Sequence, residues 1–357
     1  MKKGSFTNWY KDAKLENYNQ FLKEDSSKGS RLKLLSNSIE MPINEGLEIT
    51  VMDFLKITTS SSYSIMNKKL VEVKLGIRVL PLQRDDKILR NRGNYYQSIK
   101  NWLIDNKVSQ DRLISVLPHV DSPVWATIFF IGNENIIGEA INDAPHILTQ
   151  GLKTDKQIIQ FQYSLKNRTL ELSNANSNLE SHLIEVFKFL EVSNYQKQIL
   201  EDKLNIQVRY SFLTGYFETV YSDEYGLWFI DYNRILKLND DFRISTNSEI
   251  SNNVIYGTAT SRGTASGIVC IINELTDFGL FQSGNILACD MTTPDYIDLM
   301  KSSAGIITKY GGMLSHAAII SRELNIPCIS GLGDSFDKIK DKDFIKMDAT
   351  SGKIELI

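Results

Sequence analysis

The chain has 357 residues, 42% hydrophobic and 23% charged, with a formal net charge of -3, so it is long enough for two or three compact units, since single cores rarely exceed about 250 residues. The charge balance and the lack of a Lys/Arg block exclude a basic nucleic-acid footprint, and no apolar run approaches the ~20 residues of a membrane span. The polar start Met1-Lys2-Lys3-Gly4-Ser5 has no signal-peptide core, and the expectation is a cytoplasmic α/β protein with neither nucleic acid nor membrane as partner.

Short β-rich runs at Ile77–Leu82, Ala126–Ile131, Gly215–Tyr221 and Leu227–Asp231 predict strands, and the last two form a hairpin through Ser222–Gly226. Leu183, Val186, Phe187 and Leu190 recur at helical spacing and predict one helix over roughly 180–204. A polar stretch over 236–254 separates a domain at 1–235 from one at 255–357 and reads as a linker. Beyond it, strands at Ile268–Ile272, Asn285–Cys289, Ala304–Thr308, Phe344–Asp348 and Lys353–Ile357 alternate with helices at Asp295–Ser302 and Ser315–Leu324. That is a β/α unit of about 100 residues. Cys270, Cys289 and Cys328 lie far apart in apolar company, the pattern of buried thiols rather than of disulfides or a zinc site.

The most informative stretch runs from Thr308 to Pro327. A strand ends at Thr308, Gly311 and Gly312 follow, and a helix opens with Ser315 as N-cap and His316 behind it. Free N–H groups and the positive end of the helix dipole make an anion site there. A neutral histidine beside it can act as a nucleophile toward phosphorus, with the bare imidazole at the mouth of the pocket, and Arg322 can supplement the charge.

This stretch resembles the mobile phosphohistidine domain of the phosphoenolpyruvate-utilising enzymes, whose pattern is T-x-x-G-G-x-x-S-H-A-A-I-x-x-R-E-x-G-I-P. Thr308, Gly311, Gly312, Ser315, His316, Ala317, Ala318, Ile319, Arg322, Glu323, Ile326 and Pro327 match it. Asn325 replaces a glycine, a mild departure because Asn tolerates left-handed backbone. Gly257-Thr258-Ala259 and Thr292-Thr293-Pro294-Asp295 resemble the family's domain entry and its T-x-P-D turn. The resemblance implies a swivelling β/α domain in which His316 carries a phosphoryl group.

In that family an ATP-grasp domain loads the histidine, and four pieces of 1–235 resemble its parts. Ser27–Leu32 with the later Met41-Pro42 resembles the opening G-G-K-G-x-x-L and V-P-x-G-F, so Lys28 would meet ATP phosphate. Arg78 and Gly93 keep the family's fifteen-residue interval, with Asp85 between them; Val79-Leu80 replace two serines and Arg84 stands at a glutamate position. Arg78 would likewise hold phosphate. Ile136–Ala140 and Thr149-Gln150-Gly151 resemble the strand and turn around a family glutamate, which makes Glu139 a nucleotide-binding candidate. On the hairpin, Asp231 and Asn233 share one strand face and Glu218 lies on the partner strand. Three such oxygens suit Mg²⁺. This E-x-N arrangement follows the wider ATP-grasp superfamily, where nearer relatives carry Q-x-R.

Taken together, the expected fold is α/β: an α+β ATP-grasp-like domain followed by a swivelling phosphohistidine domain. The function implied is an ATP- and Mg²⁺-dependent phosphotransferase of dikinase type, converting ATP to AMP and phosphate. Its β-phosphoryl group would pass through His316 to a small-molecule acceptor whose site a second polypeptide could supply. The missing serines and the Asn233 departure favour one alternative, a phosphocarrier or regulatory subunit loaded by a partner, and a nucleotide-sensing module is the other.

Overall fold

The computed structural model describes residues 10–11, 14–44, 46–58, 63–65, 68–80, 89–236 and 253–357. Most of the 236–254 linker, together with Arg84 and Asp85, lies outside these. The described chain forms two compact units, one comprising residues up to Pro42, Trp125–Val220 and Phe229–Ile357, the other Ile43–Val124 and Tyr221–Trp228.

The second unit is built on a four-stranded antiparallel sheet ordered Leu47–Thr50, Leu113–Pro118, Leu75–Val79, Arg90–Asn94. Leu75, Ile77 and Val79 alternate inward and meet Ile99 and Leu103 of the Tyr96–Asp105 helix, so period-two and helical patterning close one core. Arg78, between those apolar residues, points to the exposed face.

The first unit contains two large sheets and a two-stranded ribbon of Val208–Arg209 and Phe212–Leu213. The six-stranded sheet is ordered Leu170–Leu172, Ile159–Ser164, Asn135–Ile141, Trp125–Ile131, Gly215–Ser222, Gly226–Asn233, with the expected hairpin at its edge. One face carries aromatics: Phe129 stacks on Phe217 at 5.4 Å, and Phe187 of the Ser177–Lys188 helix meets Phe129 edge-on at 5.8 Å. The single helix expected over 180–204 is two, Ser177–Lys188 and Asn194–Leu204. Ser193 starts the second with a reciprocal capping box to Gln196, and Glu191 is drawn into a bridge with Phe212. Local capping overrides the longer apolar period there.

The C-terminal sheet has eight strands in the order Val254–Tyr256, Lys353–Leu356, Phe344–Asp348, Thr264–Ile271, Ile286–Cys289, Gly305–Thr308, Cys328–Ser330, Thr258–Ser261. Its centre, from Thr264–Ile271 to Cys328–Ser330, is parallel and is crossed over by the Ile297–Ser302 and His316–Glu323 helices. Short apolar strands buried on both faces, such as Ile286–Cys289, are what a parallel sheet requires. All three cysteines are buried and free. Among the described residues no helix is long and apolar enough to cross a membrane.

The two sheets of this unit share a core. Ala126, Ile128, Ile137 and Ile141, on the sheet face opposite the aromatics, pack in one apolar cluster with Leu287, Met313, Leu314 and Ile319. The compact units therefore do not divide at the 236–254 boundary, because this apolar contact joins the region beyond it to the six-stranded sheet.

Candidate functional site

The loop leaving the Gly305–Thr308 strand lies at the carboxyl end of the parallel strands, where α/β sheets place their ligands. Buried Thr308 starts it, its Oγ1 donating to the Tyr310 carbonyl at 2.8 Å. Gly311 has φ +98°, a conformation that favours glycine. Ser315 fixes the helix start, its Oγ donating to the Gly312 carbonyl at 2.8 Å and accepting from the Ala318 N–H at 3.4 Å. His316 is the first helical residue.

The imidazole is not bare. His316 is 8% exposed, against the expectation of a ring at a pocket mouth. The reason is the shared core, in which Met313, Leu314, Ile319 and Ile320 on either side of it are covered. Burial pushes its pKa down to about 4, so the ring is neutral near pH 7 and keeps a nucleophilic lone pair. Arg322 binds elsewhere than at an anion: its Nη1 donates to the carbonyls of Thr260 and Met313, each at 2.8 Å. Burial brings its pKa down to about 10. Asn325 ends the helix with φ +55°, the left-handed conformation that its glycine-like position requires.

A second polar cluster forms on the hairpin. Lys28, at the start of the Lys28–Ile39 helix, reaches Asp231 with Nζ 2.8 Å from Oδ2. A cation at a helix N-terminus opposes the dipole, and the hairpin carboxylates compensate. Burial disfavours the Lys28 charge, but Asp231 and Glu218 outweigh it and raise its pKa. Glu218 is pushed up to about 7 by burial and by the neighbouring Asp231 charge, with Lys28 and a 2.8 Å hydrogen bond from the Tyr216 hydroxyl acting the other way. Two close carboxylates offset by one ammonium carry the excess negative charge that a divalent cation would neutralise. Asn233 does not add to them. Its Oδ1 accepts the N–H groups of Ile235 and Leu236, both at 2.9 Å, and so shapes the turn after the strand. Among the described residues no group of three or more His, Cys, Asp or Glu side chains has metal-binding geometry.

Two more candidates lie in contrasting settings. Arg78 lies exposed on a strand of the other compact unit. Glu139 is 1% exposed, and its Oε1 accepts the Met313 N–H at 3.0 Å rather than facing an open cleft.

Sequence reasoning missed Tyr216, whose hydroxyl holds Glu218, and Gln160, whose Nε2 donates to Thr258 Oγ1 at 2.9 Å. It also missed the network behind the hairpin. Glu24, 3% exposed, is paired with Arg234 at 2.6 Å and Arg31 at 3.3 Å, and Arg31 donates to the Tyr232 carbonyl at 2.8 Å. Burial works against the Glu24 charge, but the two arginines prevail and lower its pKa. One signal was available, since period-two alternation puts Tyr216 on the same strand face as Glu218. Apart from Glu24 and Arg31, which are seven residues apart, the other contacts join partners 98 to 210 residues apart and leave no local trace.

Residues 281–352 match the family model described as PEP-utilising enzyme, mobile domain. Over 105 residues the chain is 44% identical to the uncharacterized phosphotransferase YvkC of Bacillus subtilis, covering 29% of this chain and 13% of that protein. Over 101 residues it is 43% identical to a probable phosphoenolpyruvate synthase of Methanothermobacter thermautotrophicus, covering 28% and 15%. A longer match, 26% identical over 233 residues, joins it to the phosphoenolpyruvate synthase of Pyrococcus furiosus, covering 62% of this chain and 28% of that one. The chain thus spans less than a third of the length of these relatives. The match holds the loop and helix around His316 and lies within the 255–357 region separated out from sequence. Over residues 281–352, then, the C-terminal region of this chain is similar to the mobile domain of the PEP-utilising enzymes.

Proposed function

We propose that the chain is an ATP-dependent phosphotransferase of dikinase type with His316 as its phosphoryl carrier. The observation that carries this reading is a histidine kept neutral by burial at the first turn of a helix, directly after two glycines, inside a PEP-utilising mobile domain. A neutral imidazole nitrogen attacks the β-phosphorus of ATP, a nitrogen–phosphorus bond forms, and the bond to the α–β bridging oxygen breaks to release AMP. Water cleaves the γ-phosphate as inorganic phosphate. The phosphoryl group then passes to a small-molecule acceptor.

Lys28 would offset phosphate charge at the hairpin, and Glu218 and Asp231 would hold Mg²⁺, which would supply charge neutralisation when bound. Tyr216 orients Glu218. Arg78 remains a candidate phosphate contact, through its strand position alone. A covered His316 must be uncovered before it reaches nucleotide or acceptor, so the proposed cycle includes a movement that exposes it.

The low exposure of His316 also favours a second reading, a nucleotide-sensing module in which the histidine stays covered. ATP labelled separately at the β and γ positions distinguishes the two. Acid-labile label from the β position, absent in His316→Ala, is the expected result. Tight ATP binding with no label at His316 would instead establish the sensor.

A further inference from the structure

A buried carboxylate sits where the sequence places an anion pocket. Glu139 lies on the Asn135–Ile141 strand between Ile137 and Ile141, on the face that packs against the His316 segment. Its Oε1 accepts the Met313 N–H at 3.0 Å and lies 3.4 Å from Gln160 Nε2, while Oε2 is buried with no hydrogen-bond partner. The Leu314 N–H is also near enough to favour its charge, against the burial that raises its pKa. Gly312 is what admits it, since a Cβ there would stand 1.8 Å from Oε1. Close by, Gly151 presses its backbone on Gly311, where a Cβ would come within 2.9 Å of the Gly311 Cα. An acid this buried and only half-satisfied is costly, and a purely apolar sheet face would pack as well without it.

We propose that Glu139 is a positioning residue, a carboxylate latch that engages the amide turn at Gly312–Leu314 and keeps His316 covered. The role concerns access to His316, and it rests on the phosphocarrier reading only for the reason that access matters. Gly312 thereby serves a second purpose, leaving room for a side chain from another sheet. Gln160, which touches both Glu139 and Thr258, braces the latch from the neighbouring strand.

The test is the rate at which diethylpyrocarbonate modifies His316 in the full-length protein, read peptide by peptide, with His119, His146 and His182 as internal controls. No nucleotide is needed, so a failure of phosphorylation and a failure of the latch are seen separately. Glu139→Ala and Gly312→Ala should each accelerate modification of His316 about tenfold or more while the other three histidines keep their rates. Glu139→Gln, which retains an acceptor oxygen, should restore a rate near the original. In the double variant Glu139→Ala, Gly312→Ala the added Cβ meets no carboxylate, so its rate should match that of Glu139→Ala alone. Unchanged His316 rates in both single variants would overturn the proposal. So would a Gly312→Ala effect of full size in the Glu139→Ala background.

Discussion

At the scale of residues, the chemistry turns on an imidazole held neutral by burial and on carboxylates held close together. Burial lowers the His316 pKa to about 4, so the folded state refuses a proton that the unfolded chain accepts from about pH 6.5 downward. The stability that this provides is complete above the unfolded pKa and is lost as pH falls through the window from 6.5 to 4. His316→Asn should therefore flatten the acid limb of the stability curve there, by about 3 kcal/mol at most, as measured by urea unfolding at stepped pH. Asn325 gives a second residue-scale expectation. Its φ of +55° is one that β-branched side chains avoid, so Asn325→Val should lower stability by about 1 kcal/mol or more, and Asn325→Gly should leave it within about 0.5 kcal/mol.

At the scale of elements, what could be read from sequence depended on whether the signal was local. The strand–glycine–helix run from Gly305 to Glu323 carries its own punctuation: apolar residues to Thr308, a positive-φ glycine, a serine cap. It was legible in full. The hairpin was legible too, because its alternation and its turn are adjacent in the chain. The break between Lys188 and Asn194 was not, since the apolar period ran on past it while Ser193 and Gln196 capped a new helix. Ser193→Ala should cost about 1 kcal/mol in a denaturant midpoint measurement, whereas Phe187→Ala, deep in the aromatic layer, should cost about 3–5 kcal/mol. Site residues followed the same rule. Motif positions around His316 came from sequence, but the partners that set their behaviour are far apart in the chain, such as Glu139 for Met313. The burial of His316 belongs to that second class and could not be read from its own helix.

At the scale of the whole molecule, the C-terminal sheet and its helices share a core with the six-stranded sheet that bears Glu218 and Asp231. One compact unit thus holds both His316 and the carboxylate pair. The pair should matter for nucleotide binding in a metal-dependent way. Glu218→Gln combined with Asp231→Asn should weaken Mg²⁺-dependent ATP binding by about tenfold or more in calorimetry, with little change when Mg²⁺ is withheld. The measurement that bears most directly on the account is peptide mapping by mass spectrometry at alkaline pH after incubation with ATP and Mg²⁺. The expected result is one phosphoryl group on the peptide bearing His316, lost on acidification and absent in His316→Ala. A phosphoryl group that survives acid, or one that appears equally in the His316→Ala protein, would contradict it.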